Sequence, residues 1–234
     1  MNIFRMIGDS LHFTAILVLL FKIVLSRSCH GVSAKSQVLY LVVFLARYLD
    51  LFTNFVSLYN TTAKIFFIAS SSSIVFMTSA IFPSRTTKDL DTLWVSPLIG
   101  GPAILALVIN NELSVMEILW TFSIYLETIV MLPQLQLSTK TKPDHVILGY
   151  MALMGSYRLF YCFNWIYRYQ YEGSYDPIAI VSGVIQTAVY IIFLIKNYDV
   201  IRRDLAMYSH LENDAENWGV GGEEKQEQLK EEIP

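Results

Sequence analysis

Apolar residues gather into seven stretches along the chain, at about residues 3–25, 36–57, 63–82, 94–109, 115–137, 146–168 and 177–198. A bilayer core about 30 Å thick is crossed by roughly 20 apolar residues in a helix, so the pattern predicts about seven transmembrane helices filling nearly the whole chain. The fourth stretch is short and broken by Pro97, Gly100, Gly101 and Pro102, and it reads as a tilted or linking helix. Arg5, Asp9 and His12 interrupt the first stretch, where a cleavable signal would hold an unbroken apolar run; it reads as a retained span. The expected fold class is an all-α membrane protein, with residues 1–198 as the membrane domain and 199–234 as a tail.

Composition agrees with this reading. Hydrophobic residues make up 54% of the chain and charged ones 16%, against about 25% charged in an ordinary soluble domain. Basic residues in short loops set orientation. The loops after spans 1, 3 and 5 carry Arg27 and Lys35, Arg85 and Lys88, and Lys140 and Lys142, whereas those after spans 2, 4 and 6 hold only Lys64 and, at the end of span 6, Arg168. The odd loops and the C-terminus are therefore expected on the cytoplasmic side and the N-terminus on the other. The tail from Asp199 holds ten acidic residues and four basic ones, a solvated charge run or an adaptor-binding segment. Cys29 and Cys162 lie in different contexts and read as free thiols. The sequon Asn60-Thr61-Thr62 falls in a turn too close to the membrane for glycosylation.

Ionisable residues inside the spans carry the functional signal, because each costs about 2.5 to 3.5 kcal/mol at a helix centre. Arg47 and Asp50 sit near the middle of the second span, Glu127 in the fifth, Arg158 in the sixth and His12 in the first. Arg5, Glu117 and Arg168 lie at span ends on the non-cytoplasmic side. Helical phase puts Arg5, Asp9 and His12 on one face, Glu117 and Trp120 on another, and Arg158, Tyr161, Trp165 and Arg168 on a third. Together they describe a funnel open to the lumen or exterior and reaching about the midplane. Alternatively, some of these charges lock the bundle by pairing with each other, Arg47 with Asp50 or Arg158 with Glu127. Trp120 and Trp165 are interfacial anchors or a face for a ligand cation. His12 is a packed neutral residue or a pH sensor.

The charges also specify a ligand. Three arginines suit several carboxylates, since the guanidinium fork pairs with them bidentately. Asp50, Glu117 and the tryptophans suit a cation nearer the mouth. Four extended residues reach about 13 Å, close to half the bilayer core, so a short acidic peptide end with a basic residue upstream fits.

At these residues the chain resembles the KDEL receptor family, which retrieves proteins to the endoplasmic reticulum. The resemblance is carried by Met1-Asn2-Ile3-Phe4-Arg5, by Arg47-Tyr48-Leu49-Asp50-Leu51-Phe52-Thr53, by Ser57-Leu58-Tyr59-Asn60 and by the run from Glu117 to Glu127. Leu132-Pro133-Gln134-Leu135, Asn164-Trp165-Ile166 and Glu172-Gly173 continue it, over about residues 1–195. It implies a seven-helix fold like the SWEET and PQ-loop transporters, two three-helix repeats joined by a linking helix.

It also implies roles. Arg47 would take the terminal carboxylate of a KDEL- or HDEL-type peptide, Arg5 and Arg168 its acidic side chains, and Asp50 and Glu117 the upstream Lys or His, with Trp120, Tyr161, Asn164 and Trp165 alongside. His12, Glu127, Tyr157 and Arg158 would form a pH-sensitive locking network. The implied cycle binds cargo in the Golgi and returns it to the endoplasmic reticulum in COPI vesicles, with the coat recruited through the cytosolic tail. The chain departs from the family at its C-terminal end. Ile191-Ile192-Phe193 stand where an acidic residue is expected, and the tail is long and acidic, leaving Lys196, Arg202 and Arg203 as its basic residues near the membrane.

The rival reading is a proton-coupled transporter of a small solute, whose charged site would also lie at the midplane between repeats. An enzyme is not expected: neither a His-Glu-x-x-His zinc pattern nor a Gly-x-Ser-x-Gly elbow occurs. No metal or cofactor is called for, and the expected partners are peptide termini, coat and membrane lipid rather than nucleic acid.

Overall fold

The computed structural model describes residues 2–52, 55, 57–141, 143–173, 175–196 and 202. The expectations for Lys142, Arg203 and the acidic run from Glu223 lie outside these residues. The chain divides into two compact units, residues 1–191 and 192–234; of the second, the last turn of the final helix and Arg202 are described.

Regular structure among the described residues is helical throughout, with no strand. The elements are α1 (Ile3–Ser26), α2 (Ala34–Arg47) with a 3-10 turn (Leu49–Phe52), α3 (Leu58–Phe76) continued by a π turn (Met77–Ile81), α4 (Arg85–Leu90), α5 (Val95–Val108), α6 (Val115–Ile129), α7 (Leu132–Lys140), α8 (His145–Glu172) and α9 (Pro177–Lys196). Five of the resulting spans are long and apolar enough to cross a membrane: Ile3–Ser26, Leu58–Ile81, Val115–Lys140, His145–Glu172 and Pro177–Ile195. The second and fourth apolar stretches instead form helices of 14 residues each, α2 and α5, each about 21 Å long at 1.5 Å per residue.

The helix starts are written in the local sequence. Asn2, Ser33, Ser57, Ser84, Ser114 and Asp144 each accept a bond from the backbone N–H three residues on, which satisfies a donor the helix cannot pair itself. Gly173 ends α8 in the left-handed conformation, as helix C-termini commonly require.

The expectations for residues 47–64 need correcting. The second span was expected to run to about residue 57 with Arg47 and Asp50 near its middle, but α2 stops at Arg47 and Asp50 lies in the 3-10 turn. Neither Pro nor Gly occurs between Arg47 and Phe52, so residue type gives no warning of the break. Tertiary partners compensate it: Arg47 reaches α6 and Asp50 bonds Lys64 of α3. Irregular backbone at membrane depth is tolerated where it lines a protein cavity, and Tyr48 at the break does so. Lys64, counted above as a loop charge, is likewise inside α3 and buried, and the sequon Asn60-Thr61-Thr62, placed above in a turn, forms part of the first turns of the same helix, which starts at Leu58.

Packing follows the membrane pattern. α1 lies mainly against α8, α2 against α6 and α3, and α5 against α6. Ala15, Leu19, Ile23, Leu39, Val43, Leu126 and Met154 fill the interior. Phe21, Leu107, Val108, Val181 and Val184 face outward, while His12, Lys64, Glu127, Gln134, Arg158 and Gln186 are buried. That arrangement suits lipid outside and polar groups inside the bundle. Both cysteines are free; Cys29, in the loop after α1, is the buried one, and burial pushes its thiol up from the ordinary range against the opposing pull of Lys22.

Candidate functional site

A cavity of about 330 Å³ is enclosed by α1, α2, α3, α6, α8 and α9. At its floor stands Glu127, 1% exposed. α6 delivers it one turn after Ser123, and the two residues hold the end of α2. Arg47 Nη2 lies 2.6 Å from Glu127 Oε2, and its Nε donates to Ser123 Oγ at 3.0 Å. From α8, Arg158 Nη2 lies 2.7 Å from the same carboxylate oxygen, and the Tyr157 hydroxyl donates to Oε1 at 2.8 Å. Arg158 Nε donates in turn to Gln186 Oε1 of α9 at 2.5 Å. Two guanidinium groups thus share one buried carboxylate. The cluster keeps one formal positive charge where the low dielectric makes charge costly.

His12 sits at the edge of this cluster. Its ring stacks on Tyr157 with centroids 4.2 Å apart and planes 8° apart, and it meets Phe67 at 4.7 Å. It is 7% exposed, and its Nε2 accepts and donates no hydrogen bond. Glu127, Arg158 and Arg47 are the charges that act on it.

Toward the mouth the cations become accessible. The side chains of Arg5 and Arg168 are 50% and 42% exposed, against 19% for Arg47 and 8% for Arg158. Arg5 approaches Asp9 at 3.9 Å, and Arg168 Nε donates to Glu172 one turn on at 2.8 Å. Asp9 also accepts from the hydroxyls of Tyr59 at 3.2 Å and Tyr161. Trp120 and Trp165 pack against the apolar cluster of Ile124, Ile178 and Ala179. The three faces assigned by helical phase therefore differ in outcome: Arg5, Asp9 and His12 all line the cavity, as do Arg158, Tyr161, Trp165 and Arg168, whereas of Glu117 and Trp120 only the tryptophan does.

Asp50, Glu117 and Asn164 stand off the lining. Asp50 bonds Lys64, itself a lining residue, at 2.7 Å. Glu117, in the first turn of α6, accepts from Asn111 and Thr121. Asn164 accepts from Asn2 Nδ2 at 2.7 Å, which ties the start of α1 to α8. Helical phase placed Asp9 on the cavity face without giving it a role, and Tyr48, Tyr59, Lys64 and Asp176 were not assigned; all five are on the lining. For Asp9 the signal was its place one turn from Arg5, and for Lys64 it was the Ser57 cap, which starts α3 before the apolar run begins. Tyr48 and Tyr59 lie in stretches that carry the family resemblance, whereas nothing in the sequence pointed to Asp176.

Among the described residues five cationic side chains line the cavity, Arg5, Arg47, Lys64, Arg158 and Arg168, against three carboxylates, Asp9, Glu127 and Asp176; Lys64 and Arg168 are also paired with Asp50 and Glu172 from outside the lining. The excess of positive charge is at the floor, where Arg47 and Arg158 share Glu127, and there the cavity attracts an anion. Among the described residues no group of His, Cys, Asp and Glu is arranged to hold a metal ion.

A family model described as ER lumen protein retaining receptor matches residues 28–168. The chain belongs to the ER lumen protein-retaining receptor family. It is 51% identical over 191 residues to the ER lumen protein-retaining receptor erd-2.2 of Caenorhabditis elegans, a match that covers 81% of this chain and 90% of the relative. Over the same length and shares it is 49% identical to the ER lumen protein-retaining receptor of Drosophila melanogaster and 48% identical to ER lumen protein-retaining receptor 2 of Gallus gallus. The family model takes in α2 to α7 and α8 as far as Arg168, and so includes Arg47, Glu127 and Arg158.

Proposed function

We propose that this chain is a pH-dependent sorting receptor that binds KDEL- or HDEL-type C-termini of escaped luminal proteins and returns them from the Golgi to the endoplasmic reticulum in COPI vesicles. The observation that carries this reading is the sharing of Glu127 by Arg47 and Arg158 at 2.6 and 2.7 Å. It leaves the cavity floor with an excess positive charge that a peptide's terminal carboxylate would neutralise. Arg47 takes that carboxylate, Arg5 and Arg168 take the acidic side chains, and Trp120, Tyr161, Asn164 and Trp165 flank the chain. Asp50 and Glu117 receive the upstream base. His12, Glu127, Tyr157 and Arg158 couple closure to protonation.

The same reading makes residues 1–198 a seven-span domain of two three-helix repeats joined by α5, with a luminal N-terminus and a cytosolic acidic tail through which the coat is recruited. Its support is the family membership, the five long apolar spans and the sorting of basic residues among loops.

The test is titration of the purified protein with a peptide ending in Lys-Asp-Glu-Leu, free acid against amide, for wild type and Arg47→Ala. Charged hydrogen bonds of this kind contribute about 1.5 to 3 kcal/mol, so the wild type should prefer the free acid and the variant should bind it at least about tenfold more weakly. A folded Arg47→Ala protein with undiminished affinity removes Arg47 from this role. Solute movement across reconstituted vesicles, without peptide binding, would replace the receptor by a transporter.

A further inference from the structure

Two lining aromatics of α8, Tyr161 and Trp165, stand one turn apart with ring centroids 6.1 Å from each other. Each is met by a helical glycine from a different neighbour. On α1, a Cβ at Gly8 would lie 2.9 and 3.0 Å from Tyr161 Cδ2 and Cε2, and 3.4 Å from the backbone oxygen of Tyr157. On α9, a Cβ at Gly183 would overlap Cζ3 and Cη2 of the Trp165 indole and would approach Arg158 Cδ at 3.6 Å. Neither glycine has a positive φ, so neither is needed for backbone conformation. Alanine is the better helix former at such places, and glycine gains only space.

The space at Gly183 matters because of what Trp165 separates. On one side its ring lines the charged cavity. On the other it lines an apolar groove of about 510 Å³ between α8 and α9, with Ile166, Val184 and Ile180. The indole, together with Ile180, is the partition between the two spaces. Its edge lies where a Gly183 side chain would be, and Arg158, one of the two arginines on Glu127, passes beside the same spot.

We propose that Gly183 is a positioning residue for the ligand cavity: its missing side chain seats the Trp165 indole in α9, and this sets the width of the cavity beside Arg158. The inference rests on the retrieval-receptor reading of that cavity. Any side chain at residue 183 pushes the indole off its seat, because the ring is rigid and its distal atoms are the ones in contact. Gly8 provides the corresponding seat for Tyr161 on the other flank.

The experiment measures affinity for the free-acid Lys-Asp-Glu-Leu peptide in four proteins: wild type, Gly183→Ala, Trp165→Phe and the double variant. Gly183→Ala should weaken binding by about tenfold or more. The shorter phenylalanine ring withdraws the atoms that collide, so in the Trp165→Phe background the same change should cost less than about threefold. General damage to helix packing would instead cost the same factor in both backgrounds. Should Gly183→Ala fail to fold alone but fold with Trp165→Phe, the rescue itself reports the contact; failure to fold in both backgrounds overturns the proposal. Equal affinity of wild type and Gly183→Ala overturns it too, and leaves the receptor reading standing. A wild-type protein that does not bind the free-acid peptide defeats that reading, and this inference with it.

Discussion

At the start of α2, Gln134 is fully buried and uses every polar group it has. Its Oε1 accepts from the Ser33 N–H at 2.8 Å, its Nε2 donates to Gly31 O at 2.9 Å, and its own N–H donates to Ser36 Oγ at 3.0 Å. Ser33 in turn donates to Asp91 at 2.7 Å. At the other end of the same helix Arg47 and Arg158 converge on Glu127 beside a cavity of about 330 Å³. Both regions are buried and polar, yet they are built differently. The first joins mostly neutral donors and acceptors in short bonds that fasten the loop before α2 to α7. The second holds unequal numbers of charges around open volume. Neutral, well-bonded groups rigidify a fold, whereas excess charge beside a cavity adds a cost that a counter-ion relieves. Gln134 is therefore accounted for by structure alone, and the arginine pair is not.

The contrast can be broken most severely at Glu127. Glu127→Gln leaves Arg47 and Arg158 facing each other without a counter-charge, and removing one partner of a buried pair costs about 3 to 5 kcal/mol. Thermal unfolding in detergent should fall sharply, and added acidic peptide should recover part of the loss by supplying a carboxylate. A variant as stable as wild type would show that the two arginines are not held by this carboxylate.

Gln134→Leu acts on the other region and should be milder. It strands the Gly31 carbonyl and the Ser33 N–H, each a buried group whose loss of partner costs about 1 to 3 kcal/mol. Melting temperature should drop while peptide affinity per folded molecule stays as in wild type. A large change in affinity would make the two ends of α2 one coupled system.

The smallest effect is expected from pH. Protonation of His12 adds positive charge beside Glu127, Arg47 and Arg158, which the peptide's terminal carboxylate offsets; in the proposed cycle it favours the peptide-bound state, so binding takes up a proton. Affinity is then greatest at acidic pH and falls as pH rises, by at most about tenfold per unit for one proton. Peptide titration from about pH 5.5 to 7.5, which brackets the ordinary histidine range, should show this slope in wild type and a flatter one in His12→Ala. A flat wild-type profile, or an unchanged slope in the folded variant, excludes His12 as the sensor.

Much of this arrangement was legible before any coordinates. Apolar run length announced the long spans. Helical phase brought Arg5, Asp9 and His12 to one face and Arg158 to Arg168 to another, because a period of 3.6 depends only on spacing. The end of α2 at Arg47 was not legible. Hydropathy continues through Leu49, Leu51 and Phe52, and the residues that compensate the break lie on α3 and α6.

The sequence by itself determined a helical membrane protein, the residues that put charge into it and the family to which it belongs, since these depend on composition, spacing and resemblance. Which charges meet was decided only by tertiary structure. Arg47 and Asp50, three residues apart, were natural partners on one helix, yet Arg47 pairs with Glu127, 80 positions away, and Asp50 with Lys64. A helix fixes which face a side chain occupies, but the packing of α2 against α3 and α6 fixes which opposite charge that face meets.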